Sequence, residues 1–365
     1  MKRYVCLAIS CCLYTISLAQ QTSPKKDNTQ YYGKDNFLIE GTGVPESEKE
    51  SPYDRLPASF KQKVRKPVWD LSKNSAGLSV RFISNSSSIK VRWDLLNNTE
   101  MNHMAETGIK GVDLYCKVNG TWKYVNTGRP SAIENEAALV STLPPGNREF
   151  KLYLPLYDGT TKVEIGIDSL SIIKKPLPEK SLPIVFYGTS ITQGGCASRP
   201  GMAYTNILSR KLGVDCINFG FSGNGRMETP VVEVIAGIQA SFYVIDCLPN
   251  MSPRQVTDSV IPLARAIRSK NPTTPIVFLE NIRYAKMPFE ASLNNSINDK
   301  NQALRTEFDK LIKEGMKGIF FINTEGATGT DGEGSVDGVH LTDLGFIRLA
   351  DFLVKNFKEN KLVIR

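Results

Sequence analysis

A serine two residues beyond the glycine that closes a short apolar run is the first residue in this chain with clear chemical potential. Ile184-Val185-Phe186-Tyr187 runs into Gly188-Thr189-Ser190, and glycines follow at 194, 195 and 201. An apolar run closed by glycine reads as a buried strand with a sharp exit, which lifts a hydroxyl clear of a sheet end. Such a serine is either a loop or capping residue, or a nucleophile. A hydroxyl attacks poorly until a base takes its proton, and histidine is the usual base near neutral pH. The chain has two histidines, His103 and His340. His103, between Asn102 and Met104, sits in a loop-like context and reads as a surface or packing residue. His340 ends Asp337-Gly338-Val339-His340, where the aspartate can accept from one ring nitrogen and leave the other to face Ser190. The competing reading of Asp337 and His340 is a capping cluster ahead of an apolar helix, a role that Thr342 also fits.

A serine attacking an acyl carbonyl leaves a negative oxygen that needs donors. The N–H of Ser190, the N–H of Gly223 and the side-chain amide of Asn250 are the candidates, each donor typically being worth about 3 kcal/mol in the transition state. Taken singly, Gly223 and Asn250 also read as ordinary turn residues. Glu280 ends a further strand-like run, where it organises a pocket or pairs with Arg283.

The elements that must hold these residues are legible from about residue 182 onward. Strand-like runs at 182–188, 214–220, 242–246, 275–280 and 318–323 alternate with helical runs at 204–212, 230–238, 253–269, 301–315 and 342–357. Strand and helix in alternation predict a flavodoxin-like, doubly wound parallel sheet of five strands. Ligands of such sheets bind beyond the carboxyl ends of the strands, and all the candidate residues follow strand ends. Upstream, from about 68 to 172, short alternating runs such as Ile89-Lys90-Val91-Arg92-Trp93 are separated by turn signals such as Asn119-Gly120 and Asp158-Gly159. They predict an antiparallel β-sandwich without helices. Residues 20 to about 50 read as a polar lead-in, and Lys174 to Ser181, with two prolines, as a linker. The predicted organisation is thus 1–19 signal, 20–173 lead-in and sandwich, 174–181 linker and 182–365 α/β domain.

Met1-Lys2-Arg3 followed by an uncharged run to Leu18 and Ser17-Leu18-Ala19 reads as an export signal, too short for a membrane span. The expectation is a periplasmic or secreted protein; a lipid anchor at Cys11 or Cys12 is the minor alternative. The formal charge is +8, or +6 without Lys2 and Arg3, and the basic residues are dispersed. A nucleic-acid binder needs a concentrated basic footprint, so that class is set aside. Cys116, Cys196, Cys216 and Cys247 read as buried thiols, with one disulfide as the alternative in an exported chain. No dinucleotide, nucleotide-phosphate or calcium-loop motif is present. With the two histidines far apart and no cysteine cluster, a zinc site is not expected.

Gly188-Thr189-Ser190, Ser222-Gly223-Asn224, Pro249-Asn250 and Asp337-Gly338-Val339-His340 resemble, in order and spacing, the four blocks of the SGNH (GDSL) hydrolases over roughly 181–360. The resemblance implies Ser190 as nucleophile, Gly223 and Asn250 as oxyanion donors, and Asp337 and His340 as the rest of a triad, with no cofactor. Gly111-Val112-Asp113-Leu114-Tyr115 is similar to the hallmark of a jelly-roll or sandwich domain that precedes such hydrolases in many exported bacterial proteins, and Val68 to Leu78 fits the same domain. Two blocks depart from the pattern. Thr189 replaces the aspartate of the first, and Cys247-Leu248-Pro249-Asn250-Met251 lacks the usual glycine and following aspartate. The implied activity is an exported serine esterase that removes short acyl groups, acetyl foremost, from small-molecule or polysaccharide esters. A lipase or thioesterase with the same triad and an inactive carbohydrate-binding protein are the alternatives.

Overall fold

The computed structural model describes residues 28–362; the expected export signal, 1–19, lies outside the described residues. The N-terminal half contains β1 (Thr29–Tyr32), β2 (Leu38–Glu40), α1 (Lys66–Ser72), β3 (Ser79–Ser84), β4 (Ile89–Leu95), α2 (Glu106–Ile109), β5 (Val112–Val118), β6 (Thr121–Gly128), β7 (Glu134–Val140), β8 (Arg148–Tyr153), β9 (Thr160–Asp168) and β10 (Ile173–Lys174). They form two antiparallel sheets, β1-β9-β4-β7 and β10-β3-β8-β5-β6, with β2 beside β3. Alternation sets the inner faces: Ile89, Val91, Trp93 and Leu95 of β4 are buried, and they pack with Phe82, Phe150, Leu152, Ile165 and Ile167.

Three features differ from the sequence expectation. The polar lead-in supplies β1 and β2, which pair with β9 and β3. Strands of three or four residues carry no periodicity of their own and exist through their partners. β7 begins with Glu134-Asn135-Glu136, which disguises it as a loop. α1 is a helix of two turns, started by Pro67 in its first turn, and is too short to show a 3.6-residue pattern.

The C-terminal half contains β11 (Ile184–Gly188), α3 (Ser190–Gln193), α4 (Tyr204–Leu212), β12 (Cys216–Gly220), α5 (Thr229–Ala236), β13 (Phe242–Asp246), α6 (Pro253–Lys270), β14 (Ile276–Leu279), α7 (Ala291–Lys313), β15 (Ile319–Ile322) and α8 (Asp343–Glu359). The five strands form one parallel sheet in the order β12-β11-β13-β14-β15, the doubly wound arrangement expected. Every residue of β11, β12 and β13 is buried, as both faces are covered. The order reverses at β11, so the crevice that doubly wound sheets use opens where Ser190 leaves the sheet. α7 begins ten residues before the expected start at Asn301, because its first three turns are polar and bury little besides Ile297. Ser252 and Gln255 form a capping box at α6, and the Thr342 hydroxyl accepts from Gly345 N–H to cap α8. No helix among the described residues is long and apolar enough to cross a membrane. Cys116, Cys196, Cys216 and Cys247 are all buried free thiols.

The two halves share cores. One apolar layer combines α5, α6 and α7 with Leu56, Val64, Val68 and Trp69 of the N-terminal half. The other combines α4 and α8 with Met104, Ile109, Leu156 and Tyr157. Charged residues fasten the seam. Arg55, buried and without a carboxylate partner among the described residues, donates to the carbonyls of Asn218 (3.0 Å), Gly220 (2.7 Å), Asn74 (2.8 Å) and Leu71 (2.6 Å). Asp113, from the Gly-x-Asp-Leu-Tyr motif, accepts from Arg199 Nη1 and Gly201 N–H, both at 2.8 Å, while Tyr115 accepts from the same guanidinium at 2.7 Å.

Candidate active site

The register sets Gly188 of β11 level with Gly220 of β12 and Asp246 of β13. Ser190, Gly223 and Asn250 therefore leave the sheet at nearly the same height. The three loops are then tied together. Phe221 N–H donates to Gly188 O at 3.0 Å. Gly225 lies so close to that carbonyl that a Cβ would meet it at 1.9 Å, which leaves glycine as the residue that fits. Gly225 N–H donates to Phe221 O at 2.9 Å and to Asn250 Oδ1 at 3.2 Å. Holding the amide oxygen turns the Asn250 NH₂ outward. Neighbouring N–H groups are spent inside the loop, Ser222 on Gln193 Oε1 and Asn224 on Phe221 O. Among the described residues the Gly223 N–H has no acceptor, and Ser190 opens a helix, where its own N–H has no partner within that helix.

Ser190 Oγ lies 2.9 Å from His340 Nε2, and His340 Nδ1 lies 2.7 Å from Asp337 Oδ2. Asp337 Oδ1 accepts from the backbone N–H groups of His340 (2.7 Å) and Val339 (3.0 Å), so the turn that carries the pair also orients the carboxylate. Burial pushes the Asp337 carboxyl up, but the hydrogen bonds from the His340 ring and from these two N–H groups outweigh it and hold it at about 2. The carboxylate stays charged throughout the range in which an imidazole titrates. The arrangement can take a proton from Ser190, hold the resulting imidazolium beside an anion, and hand the proton on.

Behind α3, Asp246 ends β13 as a buried carboxyl held by the hydroxyls of Thr192 (2.9 Å) and Tyr204 (3.0 Å), and burial raises it to about 6. Glu280 is also buried, with Oε2 lacking a hydrogen-bond partner among the described residues, and burial raises it. Its charged neighbours are Arg283, Arg305 and Glu325, with none of the triad or oxyanion residues among them. Arg283 bonds to Asn298.

The sandwich half reaches the site, which sequence reasoning missed. Tyr157 OH donates to Ser190 O at 3.3 Å, and Gln193 Nε2 donates to Leu156 O at 3.0 Å. His103, expected as a surface or packing residue, lies with its ring centroid 5.7 Å from that of His340. Cys196 joins them: one ligand atom from each of His103, Cys196 and His340 lies within 4.8 Å of the other two. Cys196 adopts φ 73°, unusual for a residue with a side chain. Burial and the nearby Asp337 charge push its thiol up to about 12. The histidines are 237 positions apart, so no local pattern joins them; the one available signal was that the chain has no others.

The GDSL-like Lipase/Acylhydrolase family matches residues 181–358, and the GxDLY domain, the N-terminus of SGNH-hydrolase-type esterases, matches residues 29–173. No curated protein matches the chain in sequence. Among solved structures, a Bacteroides ovatus protein described as GDSL-like is 34% identical, with 93% of this chain and 100% of that one covered and a TM-score of 0.88. A salicylyl-acyltransferase from a tetracycline biosynthetic pathway is 15% identical over 93% and 99% of the two chains, with a TM-score of 0.76. An acetyl xylan esterase from Butyrivibrio proteoclasticus is 13% identical over 91% and 99%, with a TM-score of 0.57. Matched along both halves, and by a relative above 30% identity, this chain belongs to the GDSL-like lipase/acylhydrolase family and is an ester hydrolase of the SGNH type with a GxDLY N-terminal domain.

Proposed function

We propose that Ser190, His340 and Asp337 are the catalytic triad of an exported esterase that removes short acyl groups, acetyl foremost, from carbohydrate. The hydrogen-bonded relay from Asp337 through His340 to Ser190 carries this proposal. Ser190 Oγ attacks the acyl carbon while His340 Nε2 takes the hydroxyl proton. The carbonyl oxygen becomes an oxyanion facing the N–H groups of Ser190 and Gly223 and the amide of Asn250. Collapse expels the alcohol, which leaves with the proton from His340. Water, activated by the same imidazole, then releases the acid and restores Ser190. Export is supported by the basic start and apolar run of residues 1–19. A carbohydrate substrate is supported by the shared two-domain fold of the acetyl xylan esterase.

The test is acid release from 4-nitrophenyl acetate by the mature protein and by Ser190→Ala. A fall of about 10⁴-fold or more is expected, and equal rates would remove Ser190 from the mechanism. Acetylated xylan, mannan and pectin then compete against long-chain esters. A larger acyl group is the second reading: a cavity of 470 Å³ adjoins the turn that carries His340, lined by Arg283 and Glu325 as well as by Tyr284, Met287, Val339 and Leu341, with none of the triad or oxyanion residues in its wall. Faster turnover of octanoate than of acetate esters would select that second reading.

A further inference from the structure

We propose that His103, Cys196 and His340 form a binding site for a thiophilic divalent cation of the zinc type, and that its occupation switches the triad off. The inhibitory half of this proposal rests on His340 being the base; the binding half does not.

The donors are two imidazoles and a thiol, both ligand types that Zn²⁺ takes, and three protein ligands leave its fourth position to water. Their ligand atoms already lie within 4.8 Å of one another. Zinc bonds of about 2.0–2.3 Å bring such atoms closer than that, a modest closure for His103, which stands half-buried on a loop. The surroundings suit metal ligands. A ligating histidine usually gives its other ring nitrogen to an oxygen acceptor, which fixes the ring and its tautomer. Both rings have that support: His340 Nδ1 is held by Asp337 Oδ2 at 2.7 Å, and His103 Nδ1 by Asn102 Oδ1 at 2.9 Å. Each is left presenting Nε2.

The third ligand is held in place by both halves of the molecule. Ser198, two residues after Cys196, gives its N–H to Asp343 Oδ1 at 2.9 Å, and its carbonyl accepts from the Thr107 hydroxyl at 2.6 Å. Gly108 of α2 lies directly on this loop, where a Cβ would meet Ala197 O at 2.1 Å. The same contact delivers His103, five residues earlier. Cys196 itself keeps a left-handed backbone that disfavours any side chain, and such strain gathers at functional positions.

Binding exchanges one bond for another. The His340 Nε2 lone pair that would take the Ser190 proton is donated to the cation instead, and the Cys196 proton leaves to solvent as the thiolate binds. Ser190 then has no base. The cation competes with proton transfer and does not assist it.

The test uses mature protein stripped with a chelator. Acid release from 4-nitrophenyl acetate is followed against free Zn²⁺ set by a metal buffer, with Mg²⁺ as the hard-cation control. Each variant is referred to its own metal-free rate. Saturable inhibition by Zn²⁺, its reversal by chelator and no response to Mg²⁺ are expected, with the half-inhibiting Zn²⁺ concentration raised at least tenfold in Cys196→Ser and in His103→Asn. Co²⁺ provides a readout that needs no activity: the loaded wild type should show a thiolate-to-cobalt charge-transfer band that Cys196→Ser lacks. Absence of that band in the wild type, or inhibition unchanged in both variants, overturns the site. A band without inhibition overturns the switch, because the cation then binds at Cys196 without engaging His340 Nε2 as the base.

Discussion

The two halves of the molecule build their share of the site in opposite ways. The parallel-sheet half lines up Ser190, Gly223 and Asn250 by strand register, and each residue sits a few positions past a strand end. The sandwich half contributes through side chains and loops that cross the seam: Arg55 on the carbonyls of β12, Tyr157 on Ser190 O, and His103 beside His340. The first half holds the groups proposed to meet an ester. The second fixes where those groups stand. A residue of the first kind is expected to affect rate, and one of the second kind to affect folding and rate together.

Arg55→Met gives the largest effect on stability. It strips the donors from four carbonyls in a buried setting, which should lower unfolding free energy by about 3 kcal/mol or more. Because two of those carbonyls end the strand before Gly223, kcat should fall as well. Urea titration with parallel kinetics checks both, and a stable variant with full kcat would break the division between the halves.

Asn250→Ala tests the other side. Loss of one oxyanion donor should reduce kcat by about 10²–10³-fold with Tm nearly unchanged. A large fall in Tm with normal kcat would make Asn250 a brace for Gly225, whose N–H it accepts.

Asp246→Asn sharpens the boundary, since this carboxyl lies beneath α3 yet is outside the proposed triad. Its folded value of about 6 lies above the ordinary 3.8. The folded state therefore keeps a proton that the unfolded chain releases between those values, and stability falls as pH rises through that window. The difference corresponds to about 3 kcal/mol. Asn cannot ionise, so the loss of stability between pH 4 and pH 7 should shrink by an amount up to that size, measured by urea midpoints at each pH. An unchanged pH dependence would mean that burial does not hold a proton on Asp246 in this window.

The C-terminal half was largely legible in the sequence. Its strands are short apolar runs closed by turn residues, and β13 and α4 fall on the residues expected. The helix that slipped, α7, is polar over its first turns and shows no apolar stripe there. In the sandwich the long alternating strands were legible, while β1, β2 and β7 were not, since short or polar strands depend on pairing with distant partners. The same holds around the site. Asp337 and His340 are three residues apart, and one turn joins them; His103 and His340 are joined by nothing in the sequence between them.

The sequence by itself determined the order of elements in the C-terminal half, the residues placed just past its strand ends, and the Thr342 cap that starts α8. Each depends on side chains within a few positions of one another, where periodicity, turn preference and capping act. Only the tertiary structure decided that the polar lead-in becomes strands, that Arg55 closes the carbonyl end of β12, and that a loop of the sandwich sets His103 and the Cys196 thiol against His340. Those contacts arise when two cores close on a common seam, and close packing then selects partners without regard to their separation along the chain.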